Sequence, residues 1–225
     1  MLRKLLILLL ILLPLPLFSS QLLVGVEAGY NYNIINTETG WSGTENTNGH
    51  GFDIAVPVEY RVNDWFSVNT GIRWIMKSSG YTKASQNITV DDYIKMHHAI
   101  EIPFTLRFSL PLDDFRLFAG GGAYIGVRTL DVNAGYAMQN SSNAQLANRW
   151  EDFYQHLEFE ADDNLFDAGI IAELGASYEF DDYGSFYLIG RYQYGLTSLA
   201  KSSYMAAHTY FDSICVDAGF MWRLI

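Results

Sequence analysis

From Gln21 onward, apolar side chains recur at every second position, the repeat of an extended strand with one apolar face. The repeat appears eight times. In the first segment Val24, Val26, Ala28, Tyr30 and Tyr32 share one face, with Gly25, Glu27, Gly29 and Asn31 opposite. The second sets Phe52, Ile54, Val56, Val58 and Tyr60 against Asp53, Ala55, Pro57, Glu59 and Arg61. The fourth is the most regular: His98, Ile100, Ile102, Phe104, Leu106 and Phe108 alternate with His97, Ala99, Glu101, Pro103, Thr105 and Arg107. The others cover 66–76, with Ile75 as an exception, and 117–127, 166–180, 186–196 and 214–224. No segment of similar length has helical periodicity.

The connections alternate in length. Val62-Asn63-Asp64, Pro111-Leu112-Asp113-Asp114 and Asp181-Asp182-Tyr183-Gly184 are tight polar turns. Between them lie long stretches at 33–49, 78–92, 130–165 and 197–212. Short turns on one side and long loops on the other predict an all-β fold, an eight-stranded antiparallel up-and-down transmembrane β-barrel with its long loops outside.

A soluble barrel also alternates, so the face that meets lipid needs separate argument. The less apolar face is rich in glycine, including Gly25, Gly29, Gly71, Gly120, Gly122, Gly169, Gly175, Gly195 and Gly219, which suits a crowded lumen. It also carries both charge signs in near balance. Glu27, Asp53, Glu59, Glu101, Glu173, Glu179 and Asp217 oppose Arg61, Arg73, Lys77, Arg107, Arg116, Arg128, Arg191 and Arg223. Aromatic residues of the apolar face gather at strand ends as two girdles, among them Tyr60, Phe66, Phe108 and Trp222 toward the short turns and Tyr30, Tyr32, Phe52 and Trp74 toward the long loops.

Composition agrees with a partly apolar surrounding. Charged residues make up 17% of the chain and aromatic residues 15%, against roughly 25% charged in a typical soluble domain. Met1-Leu2-Arg3-Lys4, an apolar run from Leu5 to Phe18 and Ser19-Ser20 have the form of a secretory signal peptide. Residues 1–20 are therefore assigned as a cleaved leader and 21–225 as the barrel domain, exported to the outer membrane.

The formal net charge is −11, which argues against a nucleic-acid partner. Acidic pairs at Asp91-Asp92, Asp113-Asp114, Asp162-Asp163 and Asp181-Asp182 fall in turns or loops. They read either as solvated loop charge or as a surface for cations or a cationic partner. The one cysteine, Cys215, excludes an intramolecular disulfide and reads as a structural free thiol.

The stretch His98-Ala99-Ile100-Glu101-Ile102-Pro103-Phe104-Thr105-Leu106-Arg107-Phe108 and the glycine-rich Phe118-Ala119-Gly120-Gly121-Gly122-Ala123-Tyr124 resemble strands of the small bacterial outer-membrane β-barrel families of the OmpA/OmpX and PorT-like kind. The resemblance spans about residues 22–225. It implies outer-membrane lipids as surroundings, insertion by the barrel-assembly machinery, and, from the PorT-like members, an accessory role in a secretion or envelope-assembly complex. The chain ends Phe220-Met221-Trp222-Arg223-Leu224-Ile225, without the terminal aromatic residue usual in such barrels.

Eight strands enclose a space just wide enough for side chains to fill. Glu27, Glu59, Arg61, Arg73, Glu101, Arg107, Arg128, Glu173, Glu179, Arg191, Asp217 and Arg223 are therefore the candidate luminal charge network, as a structural plug or as a proton or ion path. A lipid-modifying enzyme at the rim would need a histidine beside a serine and a carboxylate. His50, His156 and His208 carry no paired nucleophile motif, and adjacent His97 and His98 point to opposite faces of a strand. Trp150, Phe153, Tyr154 and Leu157 in the longest loop sit at helical spacing, which predicts a short amphipathic helix capping the mouth or binding an extracellular or envelope partner. No cofactor is implied. The expected function is that of a non-catalytic outer-membrane barrel with a structural, adhesive or partner-binding role in its acidic loops.

Overall fold

The computed structural model describes residues 20–37, 44–84, 88–139, 149–161, 163–180, 183–201 and 209–224. The leader assigned to residues 1–20 lies outside the described residues except for Ser20. Nine strands follow: β1 (Gln21–Thr37), β2 (Thr44–Asn63), β3 (Phe66–Ala84), β4 (Ile88–Leu112), β5 (Phe115–Gln139), β6 (Arg149–Leu157), β7 (Phe166–Phe180), β8 (Gly184–Gly195) and β9 (Thr209–Arg223). Eight of them close a ring in the order β1-β2-β3-β4-β5-β7-β8-β9, with β9 antiparallel to β1. The eight alternating segments of the sequence are these eight strands.

The apolar register faces outward. Leu174 is 69% exposed and Ile72 61%, while Glu101 and Asp217 of the polar register are fully buried. A barrel with apolar residues outside and charges inside is stable only when lipid replaces water around it. Ile75, the exception in its segment, is fully buried, and Leu23, Phe118, Tyr187, Ile189 and Met221 form a separate apolar cluster inside the lumen toward the short turns. The apolar belt runs between Tyr60, Phe66, Phe108, Phe115, Tyr178, Phe186 and Trp222 at the short-turn end and Tyr30, Phe52, Trp74, Ile100, Val127 and Phe166 at the other. Leu112 and Phe115 pair across a two-residue turn in which Asp113 takes a positive φ of 53°, a conformation that Asp tolerates better than most residues.

The strands continue well past the belt. β4 and β5 have 25 residues each, about 80 Å at ~3.3 Å per residue, whereas a lipid belt is only ~25 Å tall. Most of the stretches expected as loops at 33–49 and 78–92 are thus paired strand. Within 130–165, the predicted helix is instead β6. It pairs without interruption to the outer half of β5, from Asp131↔Leu157 to Gln139↔Arg149. The physical reason is that β7 leaves β5 at Val127↔Phe166, which exposes an unpaired β5 edge for β6 to cover.

Gly29 and Gly219 show why the lumen needs glycine. A Cβ on Gly29 would lie 1.8 Å from a carboxylate oxygen of Asp217, and one on Gly219 would lie 2.4 Å from the Tyr187 hydroxyl. Both positions leave room for a side chain crossing from a neighbouring strand.

Candidate functional site

Strand parity brings the luminal charges together in tiers. At the short-turn end Arg61 donates to Glu59 at 3.1 Å and to Glu179 at 2.8 Å, and Arg116 and Arg223 approach Glu179 at 3.6 and 3.9 Å. Arg107 spans two tiers, lying 3.5 Å from Glu59 and donating to Glu173 at 2.5 Å, with Thr105 donating to the same carboxylate at 3.0 Å.

At mid-barrel, Glu27, Asp53 and Asp217 of three strands face Arg73 and Arg191. Arg191 donates to Glu27 at 2.7 Å and to Asp217, and reaches Glu173 at 3.4 Å. Arg73 donates to Glu27 at 3.0 Å and to Asp217 at 3.3 Å, with Asp53 at 3.5 Å. Tyr187, crossing over Gly219, donates to Glu27 at 2.7 Å. The three carboxylates present oxygens within 4.8 Å of one another, a spacing that would suit a metal ion. Two guanidinium groups already occupy their field, so the donor set is matched to arginine rather than to a further cation.

Further out, Lys77 bridges Glu101 at 2.8 Å and Asp167 at 2.9 Å, and Gln193 donates to Glu101 at 3.0 Å. The twelve residues singled out from the sequence therefore all line the lumen, with Glu179 and Arg223 half-buried and the rest buried. The lumen also holds Asp131, which alternation did not place there, and Asp167, which stands on the polar face of the 166–180 segment.

Just beyond the belt, a bulge at His98/Ala99 lets Thr129 slip and brings Arg128 and Asp131 to the same side. Arg128 donates to Asp131, to the Asn164 carbonyl at 3.0 Å and to the Leu199 carbonyl at 2.9 Å. Asn164 N–H also donates to Leu199 O at 2.9 Å, so the β6–β7 and β8–β9 connectors meet at this arginine. His97 Nδ1 lies 2.9 Å from Asp131. Burial pushes His97 down to about 4, against the pull of Asp131 and with Arg128 and Lys95 adding to the push. Burial alone would raise Asp131, but its hydrogen bond to His97 and the Arg128 guanidinium hold it below the usual carboxylate range.

His97 Nε2 has no hydrogen-bond partner among the described residues, so no hydroxyl is in reach to serve as a nucleophile. The other described histidines are built into aromatic contacts on the outside. His98 stacks on Trp74 at 5.3 Å, and His50 accepts or donates at 2.5 Å with the Tyr30 hydroxyl. His208 lies outside the described residues.

Of the four residues predicted to form a helical stripe, Tyr154 and Leu157 stand on a strand, where positions three apart fall on opposite faces. Tyr154 is 65% exposed and Leu157 half-buried. Trp150 and Phe153 belong to the β6 backbone, and their side chains lie outside the described residues.

A family profile described as "Outer membrane protein beta-barrel domain" matches residues 17–201. Among solved structures, the chain is similar to the outer membrane protein OprG of Pseudomonas aeruginosa, with 13% identity, a TM-score of 0.54 and coverage of 92% of this chain and 96% of that one. It is also similar to Neisserial surface protein A, at 13% identity, TM-score 0.48 and coverage of 91% and 98%. No curated protein matches the sequence.

Proposed function

Because the chain belongs to the outer membrane protein beta-barrel domain family, and is thereby a small barrel of the outer membrane surrounded by its lipids, we propose that it acts as a non-catalytic scaffold that presents an external β-sheet to a partner. The observation that carries this reading is the division of labour along the strands. Within the belt, buried ion pairs fill the lumen from Glu59 to Asp167; beyond it, β2 to β6 continue as a paired sheet on which Asn46, Thr47, Asn48, Ile94 and Tyr154 are exposed. A recess left at the short-turn end, among Arg61, Arg107, Arg116 and Tyr187, has ≈ 10 Å³ of free space, about enough for one water molecule. Such a lumen supports a closed plug over a diffusion path.

The test is to replace residues 133–155 by Asn-Gly, which closes β5 onto β6 at Val132↔His156, and to compare attachment of cells displaying each form to surfaces or other cells. The expected result is a barrel that still inserts and has lost attachment. Unchanged attachment, together with unchanged attachment after trimming the β1–β2 and β3–β4 hairpins, would refute the reading. For the competing reading as a rim-located lipid-modifying enzyme, the arrangement supplies a His97–Asp131 pair whose Nε2 meets no hydroxyl among the described residues.

A further inference from the structure

We infer that the outer edge of β6 is a strand-addition site for an extended, positively charged peptide segment of a partner protein. This rests on the partner-binding reading above and specifies its mode. An antiparallel strand spends about half of its backbone N–H and C=O groups on each neighbour. β6 pairs with β5 on one side, and it ends the sheet: among the described residues no strand pairs to its other side.

Exposed edges are normally blocked by proline, by a bulge, by charged residues or by a covering element. β6 contains no proline, and its nine pairs with β5 run without a register shift, in contrast to the bulged β2–β3, β3–β4 and β4–β5 ladders. Its charged residues, Arg149, Glu151 and Asp152, are confined to the first half. Phe153-Tyr154-Gln155-His156-Leu157 is an uncharged run of strand-favouring composition. An edge of this kind is a template for another extended chain.

Charge selects the occupant. Residues 149–163 carry six acidic side chains, Glu151, Asp152, Glu158, Glu160, Asp162 and Asp163, against the single base Arg149. Glu158 and Glu160, which directly follow the edge, are exposed. A second copy of the chain would bring two acidic edges together, whereas a basic segment would gain attraction along its length and faster encounter.

The test uses the full-length protein in nanodiscs and a labelled peptide of about nine residues alternating Lys and Val, long enough to match the strand. Fluorescence anisotropy reads binding, and hydrogen exchange reads protection of residues 149–157. The expected result is saturable binding with new protection of β6 amides. Methylating alternate peptide nitrogens should weaken it by about tenfold or more, since backbone bonds supply the affinity. Glu158→Gln with Glu160→Gln should weaken it several-fold, with a smaller salt dependence.

Gln155→Pro and His156→Pro are made separately, because adjacent N–H groups point to opposite edges. One of the two should abolish binding while β5 amides keep their protection. Equal binding of the methylated peptide, or binding without protection of β6, would overturn the strand-addition site and leave a merely acidic, partner-attracting surface. Absence of binding would overturn it as well, and so would a cross-linked dimer joined through β6. The partner-binding reading itself is decided by the trimming experiment, which needs no peptide.

Discussion

At the scale of single residues, the lumen is held by charges that cannot be removed one at a time. Arg191 serves Glu27, Asp217 and Glu173 from a buried position. Arg191→Met leaves three carboxylates sharing Arg73 and Arg107, and should destabilise the barrel by about 3–5 kcal/mol, read as a lower urea midpoint of its heat-modifiable band. Lys95→Gln is the contrast: its side chain is 32% exposed and lies 3.8 Å from Asp131, so a loss of less than about 1 kcal/mol is expected. His97 adds a pH dependence. Its ordinary value near 6.5 falls to about 4 in the folded protein, so between these values the unfolded chain binds the extra proton and stability drops as pH falls. The loss approaches on the order of 3 kcal/mol by about pH 4. His97→Gln should flatten urea midpoints measured across that window, and an unchanged slope would show that His97 is not the responsible group. Most of these residues were legible from parity alone, because a strand inside the belt has one wet and one greasy face. Asp131 was not, since the bulge at His98/Ala99 reverses the parity beyond it.

At the scale of elements, the belt and the extension obey different rules. Alternation marked all eight barrel strands, yet it faded at about residues 33, 78 and 130 and the chain there read as loop. Outside the membrane the outward face of a strand meets water instead of lipid, so the hydrophobic period disappears while backbone pairing persists. β6 departs from the expected helix for a related reason. Apolar residues at 150, 153 or 154 and 157 fit a helical stripe, and only the unpaired edge of β5, a property of the assembled fold, makes the segment a strand. Its energy is accordingly local. Replacing 133–155 by Asn-Gly should change the urea midpoint of the barrel by no more than the equivalent of about 1 kcal/mol, since it removes β6 and the outer end of β5 but leaves all eight strands intact within the belt. A barrel that fails to fold without this segment would show that β6 is structural rather than presented.

At the scale of the whole molecule, a filled eight-stranded barrel should not conduct. Planar-bilayer recordings are expected to show no porin-like steps, and a steady open-channel current would contradict the ion-pair plug. The central claim, an outer-membrane scaffold that holds β6 outside the cell, is tested most directly by labelling on intact cells. Cys215 is fully buried, and in a Cys215→Ser background Tyr154→Cys on β6 and Tyr183→Cys at a short turn give one reporter on each side. With a membrane-impermeant maleimide, the cysteine at position 154 should react on intact cells and the one at 183 only after the outer membrane is permeabilised. Labelling at 183 on intact cells with none at 154 would contradict the account.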